Sequence, residues 1–178
     1  MSIIKPFRGY LPPSEIAGKV SSPPYDVLSS DEAREMVQNN PDSFLRIIKP
    51  QIDYIHDNEP SGDSLHQHAA ENLRDFIRSG KLKQDHDLCF YLYKIIMENH
   101  TQTGIMASVS VNDYNQGCIK KHEFTRPDKE DDRSRHIEIT NANTGPVFLT
   151  FRNDGEFQKQ IEAINNQTAD ISFQADDQ

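Results

Sequence analysis

The side chains best suited to chemistry are concentrated between Lys120 and Phe151, so this segment is the first candidate for a functional site. Its first nineteen positions hold two histidines, six basic residues and six acidic residues. The basic residues are Lys120, Lys121, Arg126, Lys129, Arg133 and Arg135, and the acidic residues are Glu123, Asp128, Glu130, Asp131, Asp132 and Glu138. Guanidinium groups match the geometry of phosphate and carboxylate oxygens. The arginines and Lys129 therefore predict a site that binds an anion.

The same mixture of charges could belong to a surface helix in which acids and bases pair four residues apart. The surroundings favour a loop instead. Pro127 interrupts the segment, and a polar turn from Asn141 to Pro146 leads into the apolar residues Val147-Phe148-Leu149. Because polar residues in loops between core strands commonly form sites, the loop is the preferred interpretation and the helix is its alternative.

Two pairs of histidine and carboxylate residues lie close together in this segment: His122 with Glu123, and His136 with Glu138. On a strand, His136 and Glu138 would share a face as acid–base partners could, although a salt-bridged strand face is the commoner explanation. The sequence has no glycine-rich phosphate loop, no G-x-S-x-G nucleophile elbow and no H-E-x-x-H zinc helix. A metal site built from His56, His66 and His68 is disfavoured, because residues two apart on the predicted helix face different ways.

Two proline-rich segments predict stiff, extended backbone near the amino terminus. Pro12-Pro13 and Pro23-Pro24 fix their own φ angles and keep the preceding residue out of the helical region. The second segment presents Tyr25 and Asp26. It could be a simple crossing between elements, which these residues alone slightly favour, or a rigid wall of a pocket.

Local patterns predict the elements that must position these residues. They are a capped helix starting at Ser29-Glu32, a strand at 43–49, a helix at 64–79, an antiparallel hairpin at 88–111, a loop at 112–117, short strands at 118–119 and 171–173, and a helix at 156–165. The expected fold class is α+β, with an antiparallel or mixed sheet and a few packed helices in a single domain.

Composition excludes several classes of partner. A net charge of -9 and a pI near 5.2 argue against nucleic-acid binding. No apolar stretch reaches the length of about 20 residues that spans a bilayer, and no signal segment directs secretion, so a cytoplasmic location without membrane binding is expected. Cys89 and Cys118 lie in apolar runs without metal-ligand spacing and are predicted to be buried free thiols.

Five short motifs support a resemblance to a known family. They are Pro6-Phe7-Arg8-Gly9, Pro23-Pro24-Tyr25-Asp26-Val27, His122-Glu123-x-Thr125, Lys129 through Asp132-Arg133, and Asn143 with Gly145-Pro146-Val147-Phe148. In this order they resemble the prokaryotic domain-of-unknown-function family 1015, and in particular its branch found beside genes of phosphorylated serine biosynthesis. The resemblance covers about residues 3–151. Longer members carry an Asp-Gly-His-His-Arg signature similar to that of ParB-like serine kinases, and this sequence has none.

The resemblance implies that residues 1–151 form the family's amino-terminal α+β domain and that 152–178 begin the following region. It also implies phosphoryl transfer or phosphate-ester hydrolysis on a small anionic metabolite such as serine or phosphoserine, with a nucleotide and Mg²⁺ as the cofactors of the longer protein. The chain by itself would then be inactive, and a homodimer is left open.

The implied roles fall on two sets of residues. His122 and Glu123 would be the catalytic pair, and the phosphate and substrate would be bound by Tyr25, Asp26, Arg126, Lys129, Arg133 and Asn143. The alternative is a non-catalytic ligand-binding or scaffolding domain in which the same charges form a lattice of salt bridges.

Overall fold

The protein contains helices and short antiparallel strand pairs, which confirms the predicted α+β class. A computed structural model describes residues 4–54, 58, 60, 62–122, 124–152 and 155–175. The strands are β1 (Ile4–Lys5), β2 (Tyr10–Leu11), β3 (Lys83–Gln84), β4 (Tyr91–Met97), β5 (His100–Met106) and β6 (Ser108–Val109). The α-helices are α1 (Ala17–Val20), α2 (Ser30–Val37), α3 (Leu45–Ile48), α4 (Asp63–Arg78), α5 (Val111–Asn115), α6 (Pro127–Thr140) and α7 (Gly155–Asn165). None of the described helices is long and apolar enough to cross a membrane.

The chain divides into two compact units, each built from three separate segments. Unit 1 comprises Met1–Leu11, Gln84–Phe124 and Phe148–Ala169, and unit 2 comprises Pro12–Lys83, Thr125–Val147 and Asp170–Gln178.

Unit 1 is organised by the hairpin of β4 and β5. The strands pair antiparallel from Tyr91 opposite Met106 to Met97 opposite His100, which confirms the predicted hairpin, and β1 pairs antiparallel with β6. The predicted loop at 112–117 is wrong, because α5 occupies most of it. Its start is capped by the Ser110 hydroxyl, which accepts a hydrogen bond from the Asp113 amide at 3.2 Å.

A half-buried tyrosine joins the amino-terminal segment to this hairpin. The Tyr91 hydroxyl accepts a hydrogen bond from the Gly9 amide at 2.6 Å and donates one to Asp85 Oδ2, also at 2.6 Å. Burial and the bond to Asp85 raise the pKa of the phenol. A Cβ on residue 9 would lie 2.9 Å from the hydroxyl oxygen. Any side chain at position 9 would therefore force the Tyr91 ring or the backbone to shift.

Unit 2 holds two apolar clusters. One contains Val20, Ile47, Leu73, Phe76 and Leu82, and the other contains Ala33, Val37, Leu45, Ile48 and Ile52. Helix α4, predicted at 64–79, is confirmed, and it packs against α3 and α6. The capping box before α2 is confirmed as well, since Ser29 and Glu32 exchange backbone-to-side-chain hydrogen bonds.

The strand predicted at 43–49 is wrong, because these residues form the short helix α3. Leu45, Ile47 and Ile48 are all buried, which a strand with one exposed face does not allow. Ile47 contributes to one cluster while Leu45 and Ile48 contribute to the other, so a single helical turn serves both.

The loop predicted for the charged segment is also wrong, and the surface-helix alternative is correct. Pro127 is the first residue of α6, a position where the missing amide hydrogen is not needed and the fixed φ favours the helix. The helix ends at Thr140 and is followed by Asn141, whose φ of 53° is left-handed. His136 and Glu138 consequently point in different directions, with His136 buried and Glu138 exposed.

Four smaller predictions also differ from the structure. Val147, Phe148 and Leu149 are exposed and lie outside any strand, as do Cys118 and Ile119. The cysteines are not buried: Cys89 is half-buried and Cys118 is exposed. Residues 171–173 form no strand, whereas α7 confirms the helix predicted at 156–165.

Candidate functional site

The candidate site lies in unit 2, where α6 meets the proline-rich segment before α2. The guanidinium carbon of Arg133 lies 4.7 Å from the centre of the Tyr25 ring, a cation–π contact. Tyr25 is half-buried because it packs against the apolar cluster formed by α2, α3 and the turn after α3. This packing fixes the ring on which Arg133 rests.

Lys49, at the end of α3, is the second cation of the site. Its ammonium group donates hydrogen bonds to the carbonyl oxygens of Tyr25 at 3.2 Å and Leu28 at 2.7 Å. Burial lowers the pKa of Lys49, the nearby charge of Lys129 lowers it further, and the carboxylate of Asp26 opposes both. Lys49, Lys129 and Arg133 are called the basic cluster below.

The placement of the basic cluster runs against helix stability. Lys129 and Arg133 are four residues apart on α6, where like charges repel, and Lys129 is in the first turn, where the helix dipole disfavours a cation. Residues that break a local rule in this way are commonly found at functional sites.

Two buried histidines lie beside the basic cluster. The rings of His66 on α4 and His136 on α6 meet edge to face, with centroids 5.6 Å apart. His136 is only 1% exposed, and its Nε2 lies 3.2 Å from the Thr144 hydroxyl. Burial, helped by Arg133 and His66, lowers the pKa of His136 to about 4. The ring is therefore neutral at pH 7.

The Nδ1 atoms of both histidines are buried and have no hydrogen-bond partner among the described residues. A neutral ring protonated on Nε2 leaves only a lone pair unsatisfied at Nδ1, which is more tolerable than an unsatisfied N–H. His136 then donates to Thr144 and does not accept its proton. This arrangement makes His136 a structural residue and not a general base toward Thr144.

Asp132 connects the histidines to the basic cluster. Its Oδ2 accepts from Arg133 Nε at 3.1 Å and from Nη2 at 2.6 Å, while its Oδ1 lies 3.4 Å from His66 Nε2. The carboxylate thus faces a cation on its own helix and an imidazole on α4.

The structure brings together four of the predicted site residues: Tyr25, Asp26, Lys129 and Arg133. Arg126 instead pairs with Asp128 at the exposed start of α6, and this bond lowers the pKa of Asp128. Asn143 is exposed and closes a turn by accepting from the Gly145 amide at 3.3 Å.

The structure does not show the predicted catalytic pair, His122 and Glu123, at the basic cluster. His122 is exposed and belongs to unit 1, and Glu123 lies outside the described residues. A pocket shared by these two residues and Tyr25 stays a prediction.

Sequence reasoning missed Lys49, His66 and Thr144. The one available signal for Lys49 was its place at the end of the mostly apolar stretch Phe44–Lys49, which also contains Arg46. No pattern pairs His66 with His136, since the two residues are 70 positions apart and meet only through the packing of α4 on α6.

Two of the shallow cavities lined by described residues lie in unit 1. One, of about 300 Å³, is bounded by α5 and the residues after it, including Lys120 and Lys121, with the Lys121 ammonium 4.6 Å from the Tyr114 ring centre. The other, of about 220 Å³, lies between β5 and α7. Neither is lined by the predicted site residues.

Within the part of the chain that the structure describes, no group of three or more His, Cys, Asp or Glu side chains is arranged to hold a metal ion. The described residues thus do not form a metal site of their own.

Comparison with known proteins identifies a family. The model of the family described as "Protein of unknown function (DUF1015)" matches residues 4–178, well past the last of the five motifs. No curated protein and no solved structure matches the chain. The match covers nearly the entire sequence, and the chain therefore belongs to the DUF1015 family of proteins of unknown function.

Proposed function

We propose that unit 2 binds a small phosphorylated metabolite, such as phosphoserine, at the basic cluster. The observation that carries this proposal is the convergence of Lys49, Lys129 and Arg133 beside Tyr25, despite the repulsion between the two lysines that lowers the pKa of Lys49. A bound phosphate would relieve this repulsion.

Two of the three cations, Lys49 and Arg133, have a donor suited to a phosphate oxygen. Lys49 uses two of its three N–H donors on backbone carbonyls, which orient the third. Arg133 is supported from one side by the Tyr25 ring, and its Nη1 carries two donors beyond those used on Asp132. Asp26 supplies a carboxylate that suits the ammonium group of a zwitterion, which favours phosphoserine over inorganic phosphate.

The chemistry proposed for this site is phosphoryl transfer or phosphate-ester hydrolysis. In the hydrolysis, a water oxygen would bond to phosphorus as the bond to the serine oxygen breaks, and the proton released by the water would pass to that oxygen. The basic cluster would neutralise charge on the phosphoryl oxygens. A role for His122 and Glu123 in proton transfer stays a prediction that the family resemblance alone supports.

A second candidate, a non-catalytic scaffold, is favoured by a different observation. Every arginine of the charged segment already has a carboxylate partner: Arg126 bonds Asp128, Arg133 bonds Asp132, and Arg135 bonds both Asp63 and Glu138. In this reading the charges hold α6 to α4 and bind no ligand.

Titration calorimetry with phosphoserine, serine and phosphate separates the two candidates. We expect binding of phosphoserine, and a loss of about tenfold or more in affinity in Arg133→Gln, because a charged hydrogen bond contributes roughly 1.5–3 kcal/mol. Arg126→Gln is the matched control, since it removes the same group from the exposed start of the same helix and should leave affinity unchanged.

Failure of phosphoserine to bind, or equal losses in the two variants, would reject the anion site and favour the scaffold. Release of phosphate from bound phosphoserine, measured in the same samples, would support an enzyme over a binding domain.

A further inference from the structure

Asp132 and Arg133 form an ion pair with unusual geometry. They are consecutive residues of α6, and consecutive side chains on a helix do not naturally face each other. Arg133 therefore turns along the helix to reach its neighbour. Both of its donors converge on the single oxygen Oδ2, at 3.1 and 2.6 Å, and do not span the two oxygens of the carboxylate. This pairing lacks the two parallel bonds of the strongest arginine–carboxylate contacts.

The other oxygen of Asp132 is directed elsewhere. Oδ1 lies 3.4 Å from Nε2 of His66, which is 6% exposed and whose Nδ1 has no partner among the described residues. Asp132 itself remains 45% exposed and Arg133 32% exposed, so a solute can reach the pair. His66 thus holds the carboxylate toward α4, while Arg133 sits over the Tyr25 ring.

We propose that Asp132 is an internal counter-ion, which occupies Arg133 when no ligand is bound and which the phosphate of the ligand displaces. A phosphate monoester offers three oxygens and up to two negative charges. Two of its oxygens can therefore accept two parallel hydrogen bonds from the Arg133 guanidinium, whereas Asp132 offers it only Oδ2. His66 is a positioning residue that retains Asp132 on the α4 side once Arg133 has moved to the ligand. This inference rests on the proposed function, because it concerns the same site.

The inference predicts a gain of affinity from removing a charge. Asp132→Asn preserves the shape of the side chain and a polar partner for His66 but releases Arg133 from an ionic partner. We expect phosphoserine to bind about 3- to 10-fold more tightly, in line with the modest strength of a partly exposed ion pair. A residue with only a structural role would not give tighter binding on removal.

The experiment is titration calorimetry with phosphoserine on five versions of residues 1–178: wild type, Asp132→Asn, Asp131→Asn, Arg133→Gln and the double variant Asp132→Asn/Arg133→Gln. Asp131 is the preceding residue of α6 and is exposed, so its variant controls for the general effect of one fewer negative charge. The gain should be confined to Asp132→Asn and should vanish in the double variant. Circular dichroism of each protein confirms folding.

The outcomes distinguish the inference from the proposed function. If wild type binds phosphoserine through Arg133 but Asp132→Asn binds it equally or less tightly, the counter-ion proposal is wrong and the proposed binding site is retained. An equal gain in Asp131→Asn overturns the inference in favour of a general charge effect. If neither wild type nor Asp132→Asn binds phosphoserine, both ideas fail. Binding by Asp132→Asn alone, lost again in the double variant, would support both.

Discussion

At the scale of single residues, the charge state of His136 follows from its position between α4 and α6. A histidine in water has a pKa near 6.5 and is partly charged in mildly acidic solution. Here burial, Arg133 and His66 all disfavour the imidazolium, and only Asp132 favours it. The same ring on an exposed face of α6 would behave as an ordinary surface histidine.

The lowered pKa of His136 predicts a specific acid sensitivity. The unfolded chain takes up a proton at this ring near pH 6.5, but the folded protein does so only near pH 4. Stability therefore falls as the pH decreases from 6.5 to 4, by about 2 kcal/mol between pH 7 and pH 5. Urea unfolding of wild type and His136→Gln at both pH values should show this loss in wild type and a smaller one in the variant.

The carboxylates with lowered pKa values affect folding stability in a different pH range. Glu32, Asp63 and Asp128 have folded pKa values below their ordinary values of 4.5, 3.8 and 3.8, so their contribution is lost only at more acidic pH. An equal loss in wild type and His136→Gln between pH 7 and pH 5 would contradict the assignment to His136.

At the scale of elements, the Tyr91 hydroxyl is one of the links between the amino-terminal segment and the hairpin of unit 1. We predict that Tyr91→Phe destabilises the protein by about 1–3 kcal/mol, because Gly9 N–H and Asp85 lose their shared partner. Gly9→Ala should also destabilise it, because the new methyl group would lie 2.9 Å from the hydroxyl oxygen. Urea unfolding of the two single variants and the double variant measures both effects.

The two changes should not be additive. Without the Tyr91 hydroxyl, the methyl group added at position 9 loses its closest contact, so Gly9→Ala should be less destabilising in the Tyr91→Phe background. Strict additivity of the two free-energy changes would show that position 9 requires glycine for another reason.

The elements that sequence predicted correctly are those with a strong local pattern. Helix α4 has a continuous apolar stripe, the hairpin is rich in aromatic and branched residues, and Ser29 with Glu32 is a local capping signal. Helix α6 could not be recognised in this way, because its buried side is a histidine and not an apolar stripe. Helix α3 was predicted as a strand for a related reason, because four residues are too few to show the hydrophobic period of a helix.

For the candidate site, residue types in the sequence pointed to Tyr25, Asp26, Lys129 and Arg133 but not to Lys49. Lys129, Arg133 and Tyr25 have chemistry that is visible from residue type, and the family motifs contain them. The contribution of Lys49 depends on the backbone carbonyls of Tyr25 and Leu28, which no sequence pattern positions. The pairing of Asp132 with His66 likewise requires α4 and α6 to be in contact.

At the scale of the whole molecule, both units depend on the last part of the sequence. Ile161 of α7 is buried in unit 1, and in unit 2 a Cβ on Gly18 would lie 3.5 Å from the Phe173 ring. We predict that a chain ending at Phe151 unfolds at lower urea concentration than residues 1–178, in both units. Ile161→Ala in residues 1–178 tests the packing of α7 in unit 1 alone. It should destabilise the protein by about 2–4 kcal/mol. A truncated chain of unchanged stability would show that 152–175 contribute no packing energy.

The division of unit 2 into three separate segments has a consequence for the order of folding. Helix α4 ends at Arg78, and its partner α6 begins only at Pro127, after nearly fifty residues that belong mostly to unit 1. During synthesis α4 therefore leaves the ribosome well before α6 exists to cover His66. Closing so long a loop slows folding, and the side of α4 that carries His66 stays uncovered in the meantime. The nascent chain should accordingly be most vulnerable to aggregation after residue 78 and before residue 140.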